Sequence, residues 1–75
     1  MQIDNITFIE ITSYEYQVTF MYNGSNLQTG NIPRTASEEE FLTIIRQVIA
    51  VYDAQRADNN FNSIKELYQG QSKDI

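Results

Sequence analysis

Residues 14–22 carry the pattern that most restricts the fold of this 75-residue chain. Their aromatic and branched side chains fall on alternate positions, at Tyr14, Tyr16, Val18, Phe20 and Tyr22. A period of two is typical of a β-strand that buries one face. Asn23-Gly24 follows directly and favours a two-residue hairpin turn, because both central residues of that turn need positive φ. The pattern therefore predicts a hairpin whose returning strand begins at Ser25.

Two further strands are predicted, at residues 5–12 and 25–32, on either side of this central strand. The apolar side chains of 5–12 change parity between Phe8 and Ile9, which indicates either a bulge there or a strand partly covered on both faces. A break near Thr12-Ser13 separates that strand from the central one. The hairpin turn places Leu27 opposite Phe20, and the mostly polar third strand is expected at the edge of the sheet.

A helix is predicted to begin at Ser37, because Ser37 and Glu40 have the spacing of a capping box. The apolar residues that follow cover about half of the helix surface, which is wider than the ~100° stripe that one sheet covers. They are Phe41, Leu42, Ile44, Ile45, Val48, Ile49, Val51 and Tyr52. The polar run Asp58-Asn59-Asn60 predicts a break, and the spacing of apolar residues predicts a second, short helix at 61–69 that folds back on this flank and ends before Gly70.

The sequence therefore predicts one α+β domain over residues 1–75, in the order βββαα. A three-stranded antiparallel β-meander carries one long amphipathic helix on one face, and a short C-terminal helix packs beside that helix. Residues 71–75 are expected to fray. The rings of Tyr14, Tyr16, Phe20 and Tyr22 are expected to lie beneath the long helix.

The composition argues against catalysis and against a bound cofactor. The chain has no histidine and no cysteine, which removes the commonest general base and the soft metal ligands. The run Glu38-Glu39-Glu40 is explained by the helix start better than by a metal site. Residues 58–62 imitate the start of a calcium loop, but Ser63 and Gln69 stand where that loop requires Gly and Glu. No catalytic, cofactor or metal residue is predicted.

The charge and the N-terminal sequence limit the partners and the compartment. Ten acidic against five basic residues give a net charge of −5, which opposes direct nucleic-acid binding. No run approaches the ~18 apolar residues of a membrane span, and the start Met1-Gln2-Ile3-Asp4 has no signal-peptide pattern. We expect no membrane contact. The expected location is the cytoplasm, or the cytosol of the host cell if the protein is viral.

The leading functional hypothesis is a non-catalytic regulator or inhibitor that docks on the basic surface of a partner protein. Such a partner could be a nucleic-acid-binding enzyme, with carboxylates standing where phosphates would bind. The candidate contacts are Glu38, Glu39 and Glu40 in the first helical turn and, as an alternative, Glu15, Gln17 and Thr19 on the polar sheet face. The simplest alternative is that the charge only keeps a small protein soluble.

The second hypothesis is a structural subunit that self-associates as a homo-oligomer. Its candidate contacts are the surplus apolar residues of the long helix: Leu42, Ile44, Ile49 and Val51. Small size, acidity and a strand-strand-strand-helix order also resemble the small accessory and inhibitor proteins of phages and mobile elements. This is a likeness of type, and no motif in the chain identifies a family.

Overall fold

A computed structural model describes residues 2–75 as a four-stranded antiparallel sheet and one long helix. The strands are β1 (Asp4–Glu10), β2 (Glu15–Tyr22), β3 (Ser25–Gln28) and β4 (Ile32–Pro33), and the helix is α1 (Glu38–Tyr68). The sheet order is β1-β2-β3, and the short β4 pairs with the beginning of β2. The α+β class and the three-stranded meander are confirmed.

The β2–β3 hairpin forms where the sequence predicts it. Asn23 and Gly24 have φ values of 53° and 78°, as a turn with two positive φ angles requires. Phe20 pairs with Leu27, which confirms the predicted register.

The third strand is shorter than predicted because a threonine side chain enters the strand pairing. The Thr29 amide donates to the Val18 carbonyl at 2.9 Å, and the Val18 amide donates to Thr29 Oγ1 at 3.0 Å. The hydroxyl thus occupies the place of a backbone acceptor, and β3 ends at Gln28. The chain pairs again only at β4, where Ile32 lies opposite Tyr16.

The predicted bulge at Phe8–Ile9 is wrong, since Phe8 and Ile9 pair regularly with Val18 and Gln17. The register shifts earlier, between Asp4 and Thr7, and Asn5 has a φ of 52° there. Asparagine tolerates this left-handed conformation, which explains why the extra residue lies there. No residue of β1 is buried, although Phe8 contacts the rings of Tyr16 and Phe41 and Ile9 is 38% exposed, so the strand is only partly covered.

The core lies between one face of the sheet and the first half of α1. Its buried side chains are Val18, Phe20 and Ile32 from the sheet and Ile45 and Ile49 from the helix. Tyr16 and Tyr22 pack against this cluster, as predicted. The prediction for Tyr14 is wrong, because this residue is 79% exposed. It precedes β2 in a turn where its amide donates to Thr12 Oγ1 at 3.1 Å, so its side chain does not share the alternation of the strand.

The predicted break at Asp58-Asn59-Asn60 and the second helix at 61–69 are also wrong, since α1 continues without interruption to Tyr68. No glycine or proline lies between Pro33 and Gly70. Asp and Asn cost only about 0.7 kcal/mol or less per residue in a helix, which does not stop one that is already formed. The predicted capping box at Ser37 is confirmed, and Gly70 follows the helix end with a φ of 75°.

The helix is much longer than the sheet that it covers. Its 31 residues span about 46 Å, whereas the eight residues of β2 span about 26 Å. The last hydrogen bonds between sheet and helix join Tyr22 to Asp53 at 3.1 Å and Ser25 to Tyr52 at 3.0 Å. Residues 54–68, here called the projecting segment, extend past the sheet and give the molecule its extents of 60 × 20 × 19 Å.

The core packing predicts that truncation of Ile49 destabilises the fold strongly, whereas truncation of Val51 on the same helix has little effect on stability. Ile49 is 1% exposed, so Ile49→Ala should lower the free energy of unfolding by about 2–5 kcal/mol. Ile49→Val should cost about 0.5–1.5 kcal/mol and keeps the measurement possible if the alanine variant is unfolded. Val51→Ala is the control, because Val51 is 58% exposed. Urea unfolding measures all three, and equal losses at both positions would contradict the packing described.

Candidate functional site

The projecting segment exposes four large apolar side chains that have no partner in the fold. Phe61, Ile64, Leu67 and Tyr68 are between 48% and 68% exposed. On a 3.6-residue helix Phe61 and Tyr68 point well away from the sheet-facing side of the first half of α1, and Ile64 points about 100° from it. Leu67 falls at the same helical angle as the core residue Ile49, but it lies beyond the end of the sheet. An exposed apolar patch of this kind is a candidate interaction surface.

The net charge of the chain is distributed unevenly along the sequence. Residues 1–53 contain seven acidic and two basic residues, and so carry the whole net charge of −5. Residues 54–75 contain three of each sign and are neutral. The apolar projecting segment is therefore electrically neutral, and the acidic part of the molecule is the sheet with the first half of the helix, here called the head.

The predicted contacts Glu38, Glu39 and Glu40 lie together in the first turn of α1, at the far end from the projecting segment. Glu40 is already engaged in the cap, since its Oε1 accepts from the Ser37 amide at 3.4 Å and its own amide donates to Ser37 Oγ at 3.2 Å. Glu38 and Glu39 are exposed. These two carboxylates are the ones that a basic partner could reach at this turn.

The alternative contacts Glu15, Gln17 and Thr19 lie on the sheet face away from the helix, since they alternate with the core residues of β2. All three are half-buried. Gln17 is held by its neighbours: its Nε2 donates to Asn31 Oδ1 at 2.7 Å, and its Oε1 accepts from the Gln28 side chain. A partner on this face would meet an amide cluster with its hydrogen bonds already made.

The four predicted self-association residues lie on the two sides of the long helix on which the sequence places them. Ile44 and Val51 line a shallow groove beside Gly30, and Leu42 and Ile49 line another beside Ile3. Ile49 is 1% exposed, so it offers almost no surface to a second copy. Sequence reasoning missed the projecting segment because it folded residues 61–69 back on this flank. The signal that could have found it is the absence of glycine and proline up to Gly70.

A further groove lies at the edge of the head, beside β1. Phe8, Glu10, Tyr16 and Arg34 line a shallow space of about 480 Å³. Arg34 Nη2 donates to Glu10 Oε1 at 3.1 Å and to the Thr12 carbonyl at 2.9 Å. Phe8 stacks on Phe41 with a centroid separation of 5.9 Å. The charged groups of this groove are paired with each other, so it presents no free charge to a ligand.

Within residues 2–75 no cluster of three or more acidic side chains has the geometry of a metal site. Over the same residues, α1 lacks an apolar stretch long enough to cross a bilayer. Comparison of the chain with protein-family models, with curated proteins and with solved structures finds no match.

The contact between Tyr22 and Asp53 predicts a shifted titration. The hydrogen bond from the phenol to Asp53, with desolvation and the nearby carboxylate charge, raises the pKa of Tyr22 above its ordinary value of about 10. Since the folded-state pKa is raised, the bond stabilises the fold below the ordinary pKa and is lost as the pH rises through the raised value. Asp53→Ala should therefore lower the pKa of Tyr22.

NMR of tyrosines labelled at the ring carbon that bears the hydroxyl follows this titration. Asp58→Ala is the matched control, because Asp58 lies one and a half turns further along α1, within the projecting segment. An unchanged Tyr22 titration in Asp53→Ala would contradict the contact.

Proposed function

We propose that the protein is a non-catalytic protein-binding module that holds its partner along the projecting segment of α1. The observation that carries this proposal is the exposure of Phe61, Ile64, Leu67 and Tyr68 on the segment of α1 that extends past the sheet. Aromatic and large aliphatic side chains are the usual energetic centres of protein interfaces. An amphipathic helix with such residues three and four positions apart binds other helices and grooves through them.

The low intrinsic stability of an unpacked helical segment supports the same proposal. Fifteen residues of isolated helix are marginally stable in water, because most helix stability in proteins comes from packing of an apolar face. The projecting segment needs no nucleation, since it continues a helix that the head already holds. A partner that covers its apolar side chains would supply the packing that the sheet supplies to the first half.

A second candidate contact is the acidic head, because all of the net charge lies in residues 1–53. A basic partner protein would meet Glu38 and Glu39 at the free end of the first turn. Complementary charge would speed such an encounter and make it sensitive to salt. This contact lies at the opposite end of α1 from the apolar one, so each can be removed without disturbing the other.

Affinity capture with a tagged chain separates the two candidates. The lysate comes from the cells that produce the protein and contains the untagged chain, so that capture of either another protein or a second copy is detected. The double variant Phe61→Gln/Ile64→Gln should lose capture, because glutamine keeps the helix propensity and removes the apolar surface. The control variant Asn59→Gln/Asn62→Gln should keep it.

Substitution at the acidic turn forms the second arm of the experiment. If the apolar contact is the functional one, Glu38→Gln/Glu39→Gln should capture the same proteins as the wild type at low and at high salt. Loss of capture in this variant alone, and more loss as salt rises, would replace the apolar contact with the acidic one. Capture that is unchanged in all variants would overturn both.

A further inference from the structure

Six exposed side chains of α1 form a single line with the spacing of a coiled-coil interface. Counted along the chain they are separated by four, three, four, three and four residues: Ala50, Ala54, Ala57, Phe61, Ile64 and Tyr68. This alternation is the a/d repeat, in which successive contacts fall on one side of the helix. The line, here called the seam, lies roughly 150° around the helix from the sheet. The head therefore does not cover it.

The seam is divided into a small half and a large half. The three positions nearest the head are alanines, and the three furthest from it are Phe61, Ile64 and Tyr68. Let two copies of the helix run antiparallel about a two-fold axis at the axial level of Asn59, which itself lies on the side of the helix opposite the seam. Each alanine then meets a large side chain. The pairs are Ala50 with Tyr68, Ala54 with Ile64, and Ala57 with Phe61, and each is an a position opposite a d position.

We propose that the partner of the projecting segment is a second copy of this chain, paired antiparallel along the seam about Asn59. This inference rests on the proposed function and names its partner. Every layer then contains one small and one large residue, so the helices can approach closely and evenly. A shift by seven residues toward the head would bring Thr43 and Gln47 into the contact. A shift the other way would move Ala54 opposite Gln71, beyond the helix end.

The charge distribution favours this arrangement over a parallel one. The projecting segments that form most of the contact are neutral, so no net charge opposes their pairing. In the antiparallel pair the two acidic heads lie at opposite ends, about 40 Å apart along the axis. That distance is several times the Debye length of about 8 Å at physiological salt. A parallel pair would place two heads of charge −5 side by side.

The size of the contact indicates a weak dimer. Each copy contributes three large side chains and three alanines, with Leu67 beside them, and all are exposed in the single chain. Together the two copies remove on the order of 1,000 Å² from water, near the lower bound of about 1,200 Å² for specific interfaces. We therefore expect dissociation in the micromolar range rather than an obligate dimer.

One residue, Asp58, opposes the pairing, so its substitution should strengthen the dimer. Asp58 follows Ala57 next to the two-fold axis, where it would lie near Asp58 of the other copy. Like charges at such positions are destabilising, so Asp58→Asn should tighten the dimer a few-fold at low salt and have less effect at high salt. Asp74→Asn removes the same charge beyond the helix end and serves as the control.

Sedimentation equilibrium of the full chain measures the association. We expect a monomer–dimer equilibrium in the wild type and in Asn59→Gln/Asn62→Gln, and a monomer in Phe61→Gln/Ile64→Gln. A wild type that stays monomeric into the millimolar range overturns the dimer. The proposed function would then survive only if the capture experiment finds a different protein whose binding depends on Phe61 and Ile64, so the two failures are distinguishable.

Disulfide trapping tests the direction and register, since the chain has no native cysteine. Ala50→Cys and Tyr68→Cys should form a mixed disulfide when the two variants are combined. Neither should crosslink to itself, because two copies of either position would be about 27 Å apart along the axis and a disulfide needs Cα atoms within about 7 Å. Efficient self-crosslinking of both variants would overturn the antiparallel direction. A mixed disulfide of Tyr68→Cys with Ala57→Cys instead would overturn the register.

Discussion

The length of the uninterrupted helix determines the rest of this structure. Backbone hydrogen bonding starts at the Ser37 cap and meets no glycine or proline until Gly70. The sheet is too short to accompany it, because its longest strand has eight residues and its third strand ends at Gln28. The helix therefore has one half supported by a core and one half supported only by its own backbone. The apolar side chains of the second half are exposed for this reason.

This division also separates two kinds of surface. Among the described residues the head buries five apolar side chains, a small core as expected for a domain of this size, and it carries all of the net charge. The projecting segment has no core and no net charge. A partner that bound it would stabilise the folded chain by mass action, so the stability of the head and the occupancy of the segment would be linked.

Local signals in the sequence predicted the elements well, and competition between signals accounts for the errors. Asn23-Gly24 and Ser37-Glu40 act within a few residues, and both formed as expected. Tyr14 follows the period of β2 by sequence, but the hydrogen bond to Thr12 places it in the preceding turn. The polar run at residues 58–60 is typical of a cap, yet a cap requires the helix to end, and no residue there prevents its propagation. Because that break was expected, the apolar residues after it were assigned to the core.

The composition of the projecting segment favours a protein partner over a membrane surface or a nucleic acid. A helix that lies on a membrane surface carries a strongly basic polar face, whereas Arg56 and Lys65 are balanced here by Asp58 and Glu66. The same balance gives no attraction for nucleic-acid phosphates. What remains is an apolar line on a neutral helix, which another helix can match through shape. Pairing there would leave the acidic first turn free at both ends of a dimer, so a basic partner could meet two equivalent sites on one assembly.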